Sequence, residues 1–390
     1  MDNLALGFSL LVCTYNPDEQ AFRRTLKSIE SLVIPVDTPV ECIIVDNNSP
    51  IPVIQLDYVQ EFIRDCPWAK VIKETQQGLS FARIAAFQAA KNSIIVFIDD
   101  DNEISSLYLK SLTDLFAKYP SVAAWGPGNV NVEFMGDLSD WFSDNCKRFF
   151  QEKHIKHDEY GCVPATWTSF YPYGTGLTIR RQVMERYYSE VKSGSFSSAD
   201  RQGKSLSSGG DNQIVWEAIK MGCAAGISPS LVITHLIPAH RANLDYVKRL
   251  SFGTASSFLP CLVDSFPEVK PWILAATPSS LSIVRSHLIP ARKSNLDYVK
   301  RLSFGTASSF LPCLADSFPE VKPWILAATP SSLSIVRSVI KKTIQYSIKI
   351  QLRLLIIDLA NYLGGVSSHY QVAQKSNPIV NFMVQQLKLR

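Results

Sequence analysis

The sequence predicts an α/β protein with a mainly parallel central sheet flanked by helices, and three observations carry this. Over the first 130 residues, short β-branched apolar runs alternate with segments of helical spacing, the pattern of strand–helix–strand units joined by right-handed crossovers. The run Ser93-Ile94-Ile95-Val96-Phe97-Ile98 is apolar after its first residue, as a strand covered on both faces should be. It ends in three adjacent carboxylates, Asp99, Asp100 and Asp101, followed by Asn102.

In chain order, Phe8 to Cys13 reads as the first strand. Asp18 to Leu32 has helical spacing, with Phe22, Leu26, Ile29 and Leu32 on one face. Glu41 to Val45 is a second strand and Ala69 to Ile72 a short third. Leu79 to Ala90 reads as a helix leading into the strand that ends at Ile98. Tyr108 to Tyr119 is a further helix, followed by a strand over Ser121 to Trp125. Ligands of such sheets sit beyond the carboxyl ends of the strands. Polar clusters fall there: Thr14-Tyr15-Asn16-Pro17, Asp46-Asn47-Asn48-Ser49-Pro50 and Asp99 to Asn102. Residues 137–172 are rich in aromatics with weak periodicity, and read as irregular structure closing one side of a pocket. Ser193 to Gly210 is rich in Ser and Gly and reads as a mobile loop.

A repeat follows. His235 to Ser286 recurs as His287 to Ser338 with 48 of 52 positions identical. The differences are His240/Arg292, Arg241/Lys293, Ala242/Ser294 and Val263/Ala315. Two near-identical copies read as a duplication within a domain, not as a solenoid of diverged units. The expected organisation is residues 1–234 as the catalytic domain, 235–338 as a duplicated helical segment (235–286 and 287–338), and 339–390 as a basic amphipathic tail.

A formal charge of +4 gives no reason to expect nucleic acid as a partner. The eight cysteines form no CxxC pair, which fits a reducing cytoplasm. No basic leader precedes the first apolar stretch, so no signal peptide is expected. No window is long and apolar enough to cross a membrane. Val339 to Leu363 sets Lys341, Lys342, Lys349 and Arg353 beside Ile340, Ile344, Ile348, Leu352, Leu355 and Ile356. That is a basic amphipathic helix of the kind that lies on a membrane surface, or else packs on the repeat. The expected location is cytoplasmic, with a peripheral position on the cytoplasmic face of a membrane compatible with the tail.

Three neighbouring carboxylates repel one another and gain nothing from burial. At a sheet mouth a divalent cation neutralises them. Hard cations take oxygen ligands, often one or two carboxylates plus substrate phosphates. Asp99 and Asp101 are therefore candidate ligands for Mn2+ or Mg2+ carrying a nucleotide diphosphate. The plain alternative is an exposed acidic turn capping a helix that begins near Ser105.

Six ordered blocks together resemble the family 2 glycosyltransferases, whose fold is called GT-A. They are Val12-Cys13-Thr14-Tyr15-Asn16-Pro17, Ile44-Val45-Asp46-Asn47-Asn48-Ser49, Gly78-Leu79-Ser80-Phe81-Ala82-Arg83, Asp99-Asp100-Asp101, Gly174-Thr175-Gly176-Leu177-Thr178-Ile179-Arg180-Arg181, and Gly209-Gly210-Asp211 followed by His235. The resemblance covers roughly residues 8–250 and departs at position 210, where Gly stands in place of the family's usual Glu. It implies inverting transfer of a sugar from a nucleotide-diphospho donor, UDP-linked, to a glycan or lipid-linked acceptor. By the same resemblance Thr14, Asn16, Asp46, Asn47, Ser80, Arg83 and Asp100 contact the donor. Asp99, Asp101 and His235 hold the metal, and Asp211 is the general base.

Each residue also has a plain structural role open to it. Asp211 could cap the helix beginning at Asn212, and His235 could be a buried histidine after a strand Ser230 to Thr234. Asp46 could be a turn aspartate, Arg83 a solvated helix charge, and Thr14 and Ser80 local caps. Trp125 and Tyr173 could each be core or sugar platform. His287 repeats the local sequence of His235, and His235 is the one expected at the site. Two rival functions remain at this stage. A sugar nucleotidyltransferase would need a Gly-rich basic loop after the first strand, where Thr14-Tyr15-Asn16-Pro17 stands. An inactive membrane-associated scaffold would fit Gly210 and the duplication, but not the retained Asp99, Asp101 and Asp211.

Overall fold

The apolar runs become the strands they predict. The computed structural model describes residues 6–196 and 209–275. In chain order the elements are β1 (Phe8–Thr14), α1 (Glu19–Glu30), β2 (Val40–Asp46), α2 (Asp57–Asp65), β3 (Ala69–Lys73), α3 (Leu79–Ala89), β4 (Ile94–Asp99), β5 (Asn102–Ile104) and α4 (Tyr108–Lys118). They continue with β6 (Val122–Met135), α5 (Asp140–Cys146), β7 (Lys153–His154), β8 (Glu159–Gly161), β9 (Thr178–Arg180), α6 (Arg181–Lys192), α7 (Gly210–Lys220), β10 (Ala224–Pro238) and α8 (Leu244–Ser265).

The sheet order is β3-β2-β1-β4-β9-β6-β10-β5, with β7 added beside β6 and β8 beside β10. The first four strands are mutually parallel, as are β6 and β10, while β9 runs antiparallel between β4 and β6. The chain leaves β1 towards β2 on one side and later returns to β4 on the other. That reversal opens a crevice at the carboxyl ends of β1 and β4, where Cys13 pairs in register with Asp99.

Alternate residues of the strands feed two apolar layers. Phe8, Leu10 and Val12 of β1 face Phe22, Leu26 and Ile29 of α1, with Tyr58, Val59 and Phe62 of α2 and Leu109 and Leu112 of α4 in the same layer. Leu11 joins Ala82 and Ala86 of α3, Val183 and Met184 of α6, Trp216 of α7 and Leu262 of α8 on the opposite face. α1 begins at Asp18, whose carboxylate accepts the Ala21 N–H at 3.1 Å, satisfying one of the orphan donors of the first turn.

The structure adds to the expected pattern or departs from it at four points. Between the acidic run and the next helix the chain forms β5, antiparallel to β10 with His235 opposite Asn102, and α4 then starts at Tyr108 as expected. The strand expected to stop at Trp125 runs on to Met135. The glycines of Gly126-Pro127-Gly128 allow close approach within this strand. A Cβ on Gly126 would lie 2.4 Å from Pro172, and one on Gly128 2.5 Å from Ile155. The 137–172 segment does border the pocket but contains α5 and two short strands. Residues 234 and 235 both lie within β10, and Cys261 of α8, in the first repeat copy, is fully buried. The second copy, the 339–390 tail and most of the Ser/Gly-rich loop lie outside the described residues.

Candidate active site

β1, β4 and β10 deliver their ends to one cavity of about 820 Å3. Thr14 closes β1, and its hydroxyl donates to Asp100 Oδ2 at 2.5 Å. Burial, then the Asp101 charge, pushes the Asp100 carboxyl up to about 7 against the pull of Arg241 and of the Thr14 hydrogen bond. Asp99 and Asp101 line the same wall. Asp101 is 5% exposed; its Oδ2 pairs with Arg241 Nη1 at 2.7 Å, and its Oδ1 accepts from Asn102 Nδ2 at 3.0 Å.

His235 lies inside β10, not after a strand ending at Thr234. Its Nδ1 is 2.9 Å from the Phe150 carbonyl, so Nδ1 carries a proton and donates. That leaves Nε2 facing Asp101 Oδ1 at 3.6 Å, the tautomer a metal-binding imidazole needs. Burial opposes the charged ring, but the Asp101 carboxylate and the Phe150 carbonyl outweigh it and raise the pKa.

Asp211 approaches the cavity from α7. The helix starts at Gly210 with Gly209 in the cap position, so Asp211 sits in the first turn and is not the cap. Its Oδ2 accepts the Gly174 N–H at 2.8 Å. Gly209 is required where it stands, because a Cβ there would come within 2.2 Å of Cys261 Sγ on α8.

The remaining assignments divide. Asn47 lines the cavity and also pins its rim: Oδ1 accepts Gly78 N–H at 2.8 Å and Nδ2 donates to the Gln76 carbonyl at 2.8 Å. Asp46 lies outside the lining. Its carboxylate takes the Ser49 N–H at 2.8 Å and the Val53 N–H at 3.2 Å, which is the turn role. Asn16 is exposed in the left-handed region (φ 48°), with its N–H on Ser49 Oγ, and it too lies outside the lining. Ser80 is near the rim but not in the lining, where Gln77, Gly78, Leu79 and Ala82 stand. Arg83 is buried, not solvated. Its guanidinium lies over Phe97 at 5.3 Å, and Nη2 is 3.1 Å from where a Gly174 Cβ would be. Trp125 is wholly buried, whereas Tyr173 borders the cavity beside Trp167.

Sequence reading missed Arg148, Lys153, Arg241 and Tyr246, all in the lining. One signal existed for Arg241: its counterpart in the second copy, Lys293, keeps the positive charge. Among the described residues, no three His, Cys, Asp or Glu side chains already stand in ligand array. The donor set nevertheless fits a hard divalent cation that takes its remaining ligands from a diphosphate. Two carboxylates and an imidazole with its second nitrogen anchored face one wall of the cavity.

A parallel sheet with an acidic cluster at its carboxyl edge, and a further carboxylate on the same cavity, defines an α/β protein built to hold a charged ligand there. Residues 9–187 match the family model described as glycosyl transferase family 2. The glucosyl-dolichyl phosphate glucuronosyltransferase of Haloferax volcanii is 24% identical over 180 residues, covering 45% of this chain and 53% of the relative. The chain thus spans about half the length of the curated relative it matches. Among solved structures, a mannosyltransferase from Pyrobaculum calidifontis in complex with GDP-Man and Mn2+ is 17% identical. It covers 88% of this chain and 89% of its own, with a TM-score of 0.47. TarS of S. aureus in complex with UDP is 14% identical, covering 95% and 93%, with a TM-score of 0.42.

Proposed function

We propose that the protein is an inverting glycosyltransferase that moves a sugar from a nucleotide-diphospho donor, UDP-linked, to an acceptor hydroxyl. The observation that carries this reading is that Asp211 and the Asp99–Asp101–His235 group line a single cavity. Such transfer needs a leaving diphosphate neutralised and an acceptor hydroxyl deprotonated, and these are different tasks for different carboxylates. Mn2+ or Mg2+ held by Asp99, Asp101 and His235 would supply Lewis-acid neutralisation. Asp211, fixed by the Gly174 N–H, takes the proton of the acceptor hydroxyl. Tyr173 and Trp167 offer aromatic surface on the same cavity, suited to a sugar ring.

The acceptor class is a glycan or lipid-linked sugar. The lipid-linked choice is supported by the name of the Haloferax relative, which includes a dolichyl phosphate glucoside. No described helix is long and apolar enough to cross a membrane; attachment through residues 339–390 belongs to the proposal. The test is turnover on a panel of sugar nucleotides with Mn2+, for wild type and Asp211→Asn. Asn keeps the shape, so donor binding should persist while transfer falls by about 10²-fold or more. Wild-type transfer by the Asn variant would leave Asp211 a merely structural residue. No turnover of any donor by the wild type would favour the inactive scaffold.

A further inference from the structure

Arg241 is a cation stored on the residue that a metal would claim. It sits in the turn between β10 and α8. That turn is fixed by the Arg241 N–H on the Pro238 carbonyl at 2.8 Å and by Asn243, whose Oδ1 takes the Tyr246 N–H at 2.9 Å and whose Nδ2 holds the His240 carbonyl at 2.8 Å. The guanidinium therefore leaves a rigid base and reaches Asp101 Oδ2 at 2.7 Å. Its neighbours are the carboxylates of Asp99, Asp100 and Asp101, with Tyr246 beside it. Tyr246 is itself stacked on Phe150 at 6.2 Å and 8°, and the Phe150 carbonyl anchors His235. Arg241, Asp101 and His235 are thus held by one frame on one cavity wall.

A metal shared by His235 Nε2 and Asp101 Oδ1, which face each other at 3.6 Å, would draw on the same carboxylate and loosen the hold of its Oδ2 on Arg241. The displaced guanidinium would then face whatever anion the metal carries. A planar fork of N–H donors matches phosphate oxygens two at a time. We propose that Arg241 is a diphosphate-binding residue, parked on Asp101 in the donor-free protein and transferred to the diphosphate when metal and donor enter together. The proposal rests on the nucleotide-sugar reading above. The second repeat copy agrees with it: this turn holds three of the four differing positions, yet the counterpart Lys293 remains a cation.

The experiment is calorimetric titration of the full chain with Mn2+ alone, with inorganic pyrophosphate plus Mn2+, and with uridine plus Mn2+. Wild type, Arg241→Gln and Arg241→Lys are compared, with circular dichroism as the folding control. In the Gln variant, pyrophosphate affinity should fall by about 30-fold, close to 2 kcal/mol. Mn2+ alone should bind at least as well as to wild type, because a competitor for Asp101 is gone, and uridine should be unaffected. The Lys variant keeps the charge but loses the fork, and should fall by about 5-fold. Pyrophosphate binding within about 2-fold of wild type in both variants would overturn the proposal. So would an equal loss for Mn2+ alone, which would make Arg241 a support for Asp101 only. If the Gln variant does not fold, the Lys variant decides by the same comparison. Failure of the wild type itself to bind pyrophosphate with Mn2+ would instead strike the nucleotide-sugar reading beneath it.

Discussion

Gly174→Ala tests whether the position of Asp211, and not only its charge, sets the rate. The added Cβ would lie 2.9 Å from Asp211 Oδ2 and 3.1 Å from Arg83 Nη2, where ordinary contact begins at 3.4 Å. The carboxylate must therefore withdraw by about 0.5 Å, stretching its bond from the Gly174 N–H. Gly174 is absent from the positive-φ glycines, so alanine brings no backbone strain. Misplacing a catalytic group by about 1 Å costs roughly 10²-fold, so half that shift should lower kcat about 10-fold, or ~1.4 kcal/mol of barrier. Crowding should cost roughly 1–3 kcal/mol of stability, partly offset by the ~0.4–1 kcal/mol that alanine gains by restricting the unfolded chain. The assay is kcat at saturating donor and acceptor, with donor Kd and thermal melting measured alongside. A folded variant with unchanged kcat would refute the reasoning, and so would a fall in donor affinity matching the fall in kcat.

Asp99→Ala and Asp101→Ala should each weaken Mn2+-dependent nucleotide-sugar binding and reduce turnover by about 10²-fold or more while the fold persists; metal titration followed by turnover checks this, and unchanged metal dependence in both would refute it. Lys153 is held down to about 8 by burial, so between about pH 8 and 10.4 the unfolded chain binds more protons at this site than the folded one. The stability of wild type relative to Lys153→Met should therefore rise with pH across that window, read from urea midpoints; a flat or falling difference would contradict the assignment. His235→Ala should lose metal-dependent activity, whereas His287→Ala should keep wild-type turnover; the reverse pattern would put the second repeat copy at the site.

The strands that frame the cavity were legible because apolar runs such as Leu10-Leu11-Val12 and Ile94 to Ile98 are short and rich in β-branched residues, the pattern of covered strands. The acidic run at Asp99 was legible because a strand end is the one place where such residues are useful. What failed to show depends on partners far away in sequence. Arg241 meets Asp101 across 140 positions, and nothing around Arg241 announces that. The short helix α2 is amphipathic, burying Tyr58, Val59 and Phe62, but its 9 residues offer too little periodicity to stand out. Asp46 and Asn47 show the limit most clearly. They are adjacent, both buried and both at the end of β2. The carboxylate closes the Ser49–Val53 turn, while the amide faces the cavity. Pattern can place such a pair at a site but not divide the work between its members, since that depends on which way one turn folds.

The repeat shows how context decides between identical sequences. The two copies share nearly every side chain that lines the cavity from His235 to Phe258, so no property of those residues selects one copy. The selection comes from what precedes them. Leu231 and Ile233 are buried, and Val232 to Pro238 pair in unbroken parallel register with Asn129 to Met135 of β6. That strand carries His235 to the Phe150 carbonyl and to Asp101. Beyond it, Cys261 of α8 packs on Gly209, directly before the turn that presents Asp211. The described part of the first copy thus touches both sides of the cavity, the acidic cluster through His235 and Arg241 and the start of the Asp211 helix through Cys261. Its seat in the core follows from the strand that leads into it, and His287 is preceded by Ser282-Ile283-Val284-Arg285-Ser286, which places an arginine two residues before the histidine where β10 has the buried Ile233.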